Sequence, residues 1–332
     1  MIGRVPSVDR QGAPKLTIVI VNYCTGALVV DCLASLVDEI TAFPATKVLV
    51  IDNASVDNSA HVIATAIAER HWSDWAQLIP SGFNGGFAYG NNIAFRAAMA
   101  EATPPDLFWI LNPDTRVFPG TLGALLDFFH SRPDVGIVGS MLFDGDERPW
   151  PFAFRFPSIL SELERGACIG IISRLLRDHR VPRSMGNVPE QVDWVSGASL
   201  VVRRETLEAT GLMDEGYFLY YEETDLCLKA RHHGWTCWYL PSAVVLHIAG
   251  QSTGLTETAF RRIPGYWFDA RRRYFIMNHG RRYALLADIC WMAGHMLWRT
   301  RRRFRSRKDR VVPFLFRDFV KGSAFFHGPQ GR

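Results

Sequence analysis

The chain has 332 residues, 48% of them hydrophobic and 21% charged, and its mean hydropathy is near zero. This mixture excludes intrinsic disorder and a polytopic membrane protein, and the length supports a full buried core. The net charge of +4 conceals two regions: residues 257–332 carry 18 basic and 5 acidic side chains (+13), and those before them 19 and 28 (−9).

Residues 1–14 hold Arg4, Pro6, Arg10 and Pro14 without an apolar run of secretory length, so they read as an N-terminal tail of a cytoplasmic protein. A β-branched run at 16–21 predicts a strand and the pattern at 28–40 a helix. Residues 48–51 and 59–70 repeat the pair, followed by a strand at 77–80, a glycine-rich loop, a helix at 92–100 and a strand at 107–111. Strands alternating with helices predict an α/β fold, with a doubly wound, mostly parallel sheet covered by helices on both faces. After a strand at 136–142 the rhythm breaks at the Pro- and aromatic-rich residues 149–157, and 160–190 shows no clear period. A strand at 198–202, a helix at 205–210, a second helix from Glu223 and two short strands at 236–240 and 244–246 complete the domain. Cys24, Cys32, Cys168, Cys227, Cys237 and Cys290 form no CxxC pair, which predicts a reducing compartment without structural zinc or disulfides.

Residues 284–298 are mostly apolar, with arginines on either side and Tyr283, Trp291 and Trp298 among them. A spanning helix needs about 20 apolar residues, so this segment predicts a helix lying on an anionic membrane surface. A core helix with a solvated basic tail is the plainer alternative. Nucleic acid is not the expected partner, because the aromatics do not interleave with the charges as stacking platforms would.

Ligands of open parallel sheets bind beyond the carboxyl ends of the strands. Three such ends are polar here: Asn22-Tyr23, Asp52-Asn53-Ala54-Ser55 and Asn112-Pro113-Asp114-Thr115. Each alone could merely start a turn or cap a helix; three together point to a ligand crevice. The loop from Asn84 to Asn92 contains Gly85, Gly86 and Gly90, which allow close backbone approach to a ligand, but it spells neither a Walker A loop nor GxGxxG. Asp114, after an apolar strand, is suited to a metal and phosphate oxygens. Glu222, Glu223 and Asp225 crowd the start of a helix, where the dipole accounts for one or two carboxylates and proton abstraction for another. His247 ends an apolar strand, where a structural histidine is the ordinary expectation.

These residues resemble the family 2 glycosyltransferases of the GT-A fold, particularly the rhamnosyltransferase-like members of bacterial polysaccharide and cell-wall assembly. The motifs that carry the resemblance are Ile18-Val19-Ile20-Val21-Asn22-Tyr23, Val50-Ile51-Asp52-Asn53-Ala54-Ser55-Val56-Asp57, Asn84 to Asn92, Leu111-Asn112-Pro113-Asp114, Trp194-Val195-Ser196-Gly197-Ala198, Glu222-Glu223-Thr224-Asp225 and Leu246-His247. The resemblance covers about residues 15–250, within a domain drawn at 15–255 and followed by a basic helical region at 256–332.

The resemblance implies that Asn22, Tyr23 and Asp52 contact the donor nucleotide, with Asn53, Gly86, Asn91 and Asn112 beside it. Asp114 matches the last carboxylate of a DxD metal motif, and His247 completes the site for Mn2+ or Mg2+. Glu223 stands where the general base usually lies as Asp, and Trp194, Gly197, Glu222 and Asp225 fall on the acceptor side. The implied reaction is an inverting, metal-dependent transfer, of rhamnose from dTDP-rhamnose or of a hexosyl or galactofuranosyl group from a UDP-sugar, to a lipid-linked saccharide. Two departures, Asn112 in the DxD position and Glu at 223, also fit a non-catalytic scaffold. A nucleotidyltransferase would carry a basic glycine-rich loop after the first strand, where this chain has Asn22-Tyr23-Cys24-Thr25.

Overall fold

The computed structural model describes residues 14–146, 148, 152–248, 262–304 and 312–329. Nearly all of the N-terminal tail and the boundary drawn at 255/256 lie outside the described residues.

The first half alternates as its apolar runs predict: β1 (Leu16–Asn22), α1 (Gly26–Ala42), β2 (Lys47–Asp52), α2 (Ser59–Glu69), β3 (Ala76–Pro80), α3 (Phe87–Met99) and β4 (Leu107–Leu111). Every residue of β1 and β4 is buried, as expected of strands covered on both faces. A short β5 (Thr115–Val117), α4 (Thr121–Ser131) and β6 (Val135–Phe143) follow. Glu39 of α1, itself buried, accepts the backbone N–H groups of Gly120 and Leu122, placing a carboxylate on the otherwise unsatisfied N-terminus of α4.

The region without a clear period contains real structure: β7 (Ala153–Phe154), α5 (Ile159–Ala167), α6 (Gly170–Leu175), a 3-10 turn, β8 (Glu190–Val192) and β9 (Trp194–Val195). Then come β10 (Ser199–Arg203), α7 (Arg204–Thr210), α8 (Glu222–His232) and β11 (Thr236–His247). The two short strands expected at the end of the domain are one long strand whose register shifts between Leu240 and Val244. Pro241, which lacks a ladder N–H, falls in that shift.

The nine-stranded sheet runs β3-β2-β1-β4-β10-β6-β11-β5, with β8 on β11. The β3-β2-β1-β4 block is parallel, β10 is antiparallel to both its neighbours, and β5 is antiparallel to β11. The ends of β1, β2 and β4 therefore open on the same edge.

The C-terminal region is α9 (Gly265–His279), α10 (Arg281–Arg303) and α11 (Leu315–Lys321). It packs on the sheet domain mainly through α5, whose backbone approaches α10 closely. A Cβ on Gly166 would lie 2.3 Å from the Trp291 carbonyl oxygen, and one on Gly294 2.5 Å from that of Leu163. Buried Arg271 of α9 binds Glu162 of α5 (2.7 Å) and Asp288 of α10, whose second oxygen accepts the Ala324 N–H at 2.8 Å. No described helix is long and apolar enough to cross a membrane.

Candidate active site

Asn22, at the end of β1, is fully buried and donates to Asp52 Oδ1 (2.7 Å) and Ser55 Oγ (3.1 Å), while its own oxygen accepts the Thr25 hydroxyl (2.8 Å). Asp52 also takes the Ser55 hydroxyl and N–H. Asn22 and Asp52 thus lock the ends of two neighbouring strands together, and the Tyr23 ring remains exposed beside them. Asn53 donates to the Asn84 side chain (3.0 Å) and the Gly86 carbonyl (2.9 Å), tying the glycine-rich loop to β2.

That loop is shorter than its composition indicates, because α3 begins at Phe87, five residues earlier than the pattern predicts. Gly86 has φ +90°, and a Cβ there would lie 2.0 Å from the Phe218 carbonyl oxygen, which accepts the Phe87 N–H at 2.8 Å. The glycine lets the loop press onto the turn that leads into α8. Asn91 lies inside α3; its amide donates to Phe87, and its Oδ1 is buried without a hydrogen-bond partner among the described residues.

Asp114 and His247, 133 positions apart in the sequence, meet because β5 pairs with β11 in the register Thr115↔His247, with Ile248 N–H bonded to the Asp114 carbonyl. Asp114 Oδ1 is buried, has no hydrogen-bond partner among the described residues and lies 3.4 Å from His247 Nε2. The Asn112 amide lies 3.3 Å from the same nitrogen. A buried carboxylate oxygen without a donor, next to an imidazole, fits a divalent cation, with Asp114 and His247 supplying two ligands and the others left to ligand oxygens and water. No described group of three or more His, Cys, Asp or Glu residues makes a complete protein cage.

The same edge reaches α8. Asn112 N–H binds the Ala198 carbonyl (3.0 Å), and the preceding Gly197 faces Glu223: a Cβ there would lie 3.6 Å from Glu223 Oε1. Glu222 and Glu223 open α8 after Tyr220 and Tyr221, both at positive φ (75° and 71°). Cys24 and Ala54, just past β1 and β2, also have positive φ, so four of the seven such non-glycine residues described border this crevice. Backbone strain of this kind is typical of functional sites.

Burial raises the Glu223 carboxyl above its usual range, against the lowering effect of backbone N–H groups at Gly197 and Thr224. Burial and then the Glu223 charge push Glu222 well above the same range. Both have an Oε2 that is buried without a partner among the described residues.

Two residues assigned to the acceptor side are engaged in packing. Trp194 stacks on Phe154 (4.1 Å between ring centroids) and donates to the Arg155 carbonyl. Asp225 accepts from Tyr217 (3.2 Å) and Asn278 (2.6 Å) and pairs with Lys229, so it ties α8 to α9. Ser55 and Asn92 lie inside the quoted motifs without an assigned role, and Phe218 lies outside them; the Asn92 side chain anchors Met213 and Glu215. Ser55 belongs to the polar end of β2, and its hydroxyl serves Asn22 and Asp52; Phe218 contributes a backbone carbonyl, which no side-chain pattern reveals.

Comparison with known proteins bears on the family and the fold. The family described as "Glycosyltransferase like family 2" matches residues 14–264. An N-acetylglucosaminyl-diphospho-decaprenol L-rhamnosyltransferase of Mycobacterium tuberculosis is 30% identical over 315 residues, 90% of this chain and 97% of that protein. The mannosyltransferase PcManGT of Pyrobaculum calidifontis, solved with GDP-Man and Mn2+, superposes with a TM-score of 0.55 at 14% identity, covering 94% of this chain and 81% of the other. GalNAc-T7, solved with UDP, GalNAc and Mn2+, gives 0.58 at 12% identity, covering 94% and 55%. At these identities the two structures establish a shared GT-A-like fold.

Proposed function

The chain belongs to the family 2 glycosyltransferases, and we propose that it transfers rhamnose from dTDP-rhamnose, with inversion, to a lipid-linked saccharide at a membrane surface. The observation that carries this reading is one crevice with two poles: the buried Asp114 oxygen beside His247, and Glu223 beside Gly197, linked through the bond from Asn112 to Ala198.

Asn22 and Asp52 hold the ends of β1 and β2 in place for the base and ribose, with the exposed Tyr23 ring available to cover the base. The close approach of Gly86 to Phe218 keeps α3 beside the acceptor turn. Mn2+ or Mg2+ held by Asp114 and His247 would neutralise charge on the leaving nucleoside diphosphate. Glu223 takes the acceptor hydroxyl proton as that oxygen bonds to the anomeric carbon. The bond to the diphosphate breaks on the opposite face, and its electron pair leaves with the nucleotide. A raised pKa makes Glu223 a better proton acceptor near neutrality than an exposed carboxylate. No second carboxylate acid is needed, unlike glycoside hydrolysis.

Membrane proximity is supported by α10, a helix of 23 residues, about 34 Å long. Its Ala284, Ala287, Trp291 and His295 face the protein, whereas Leu286, Ile289, Met296 and Leu297 form a half-exposed stripe on the other side with arginines at both ends. An apolar stripe with terminal arginines suits the interface of an anionic bilayer.

The test is sugar transfer from dTDP-rhamnose and from UDP-sugars to an N-acetylglucosaminyl-diphospho-lipid. Glu223→Gln is expected to retain nucleotide binding and lose at least about 10²-fold in rate; near-normal turnover would remove Glu223 from the base role.

A further inference from the structure

A cavity of about 500 Å³ lies between α5, the start of α9, α10 and α11, away from the strand ends. Its size is within the range of small-molecule sites. The floor is aromatic: Trp291 stacks on Phe319 at 3.7 Å between centroids and on His295 at 5.0 Å. Three guanidinium groups line it, those of Arg165, Arg301 and Arg302, and no described acidic residue does. Arg165 lies over the Trp267 ring at 4.8 Å, and its Nε is buried without a hydrogen-bond partner among the described residues. Glu162 and Asp288 balance Arg165 and Arg271, so the excess positive charge of the wall is that of Arg301 and Arg302, which form no ion pair among the described residues.

One aromatic layer separates this cavity from the acceptor side of the crevice. Trp267 packs edge-on to Tyr221 (6.2 Å between centroids), the residue that precedes Glu222 and Glu223. At its other end, Arg301, Arg302 and Trp298 continue the same stretch of α10 as the exposed Met296 and Leu297. The cavity thus lies between the acceptor turn, which its Trp267 wall touches, and the apolar stripe.

We infer that this cavity holds the isoprenoid diphosphate of the lipid-linked acceptor, an assignment that rests on the transferase reading above. The arginines take the diphosphate oxygens, for which guanidinium forks are suited, and the first isoprene units lie on Trp291, Phe319 and Trp298 before the chain leaves beside the stripe. An inorganic anion would leave the aromatic floor without a partner, and a neutral hydrocarbon would leave Arg301 and Arg302 without one. An amphiphile bearing both groups satisfies the whole lining.

The test uses the full-length chain with farnesyl diphosphate as the probe. Cys168 is exposed and lines the cavity, so its maleimide modification reports occupancy; Cys168→Ser supplies the background from Cys24 and Cys290. Farnesyl diphosphate should slow modification at least about fivefold, with no protection by inorganic diphosphate at the same concentration. Arg301→Ala/Arg302→Ala should weaken farnesyl diphosphate binding at least about tenfold and leave nucleoside diphosphate affinity unchanged. Absence of protection, or equal affinity in the double variant, would overturn the assignment. So would loss of phosphatidylglycerol vesicle binding alone, which would make these arginines a membrane patch. If nucleotides fail to bind while Cys168 protection persists, the transferase reading fails and the lipid site stands.

Discussion

Arg271→Met tests how the C-terminal helices are held against the catalytic domain. Arg271 is 3% exposed and bridges Glu162 and Asp288, which are 2% and 1% exposed. Removing one partner of a buried ion pair costs about 3–5 kcal/mol, because an uncompensated charge stays behind. Here two carboxylates are left, but Glu162 keeps Arg165 at 2.6 Å and Asp288 keeps the Ala324 N–H. The lower end, about 3 kcal/mol, is therefore expected, roughly two decades in the unfolding equilibrium. Burial alone would raise the Glu162 pKa, yet Arg165 and Arg271 hold it below the ordinary 4.5. A carboxyl lowered on folding stabilises above its unfolded pKa, and that contribution is lost as pH falls through the folded value. The wild type should therefore lose stability as pH drops below about 4.5, and Arg271→Met should flatten that loss. Denaturant titrations followed by far-UV circular dichroism between pH 3.5 and 7.5 measure both effects. Adding Asp288→Asn should recover about half of the deficit at neutral pH by removing the buried carboxylate left without a cation. A deficit below about 1 kcal/mol, or none recovered, would refute the clamp.

Glu222→Gln should raise the melting temperature at pH 8 and change it little at pH 4. A carboxyl whose pKa rises on folding contributes stability below its unfolded value, near 4.5, that disappears as pH climbs through the folded one; an unchanged pH–melting profile would refute the burial argument. Gly86→Ala forces a Cβ onto the Phe218 carbonyl at positive φ, so transfer activity should fall at least about tenfold, with destabilisation of about 1–3 kcal/mol; a wild-type rate would refute the close contact between loop and turn. Leu286→Glu/Ile289→Glu/Leu297→Glu should abolish sedimentation with anionic vesicles without altering nucleotide affinity, and undiminished sedimentation would remove α10 from the membrane face.

The strands that frame the crevice were legible because a parallel sheet buried on both faces demands continuous apolar runs, and 16–21, 48–51 and 107–111 are such runs. The start of α3 was not, because its boundary is set by Phe218, more than 130 positions away, meeting Gly86 at a conformation the sequence does not display. The helix α5 escaped for a similar reason: nine residues give little periodicity, and its close partner, Gly294, lies in another region of the chain. The Asx-rich strand ends mark the sheet edge on which the candidate crevice lies, while the pairing of Asp114 with His247 depends on strand register. Asp225 shows the opposite case: three carboxylates at one helix start look alike in sequence, but Tyr217, Asn278 and Lys229 turn this one into a tie to α9.

The central claim, that the crevice binds a nucleoside diphosphate through Asp114 and His247, is tested most directly by calorimetric titration. Deoxythymidine diphosphate and uridine diphosphate are each titrated, with and without Mn2+, into the wild-type chain, Asp114→Asn and His247→Ala. The account predicts Mn2+-dependent binding of the deoxythymidine nucleotide to the wild type, at least about tenfold weaker in both variants. Binding that is independent of Mn2+, or equal in all three proteins, would contradict it.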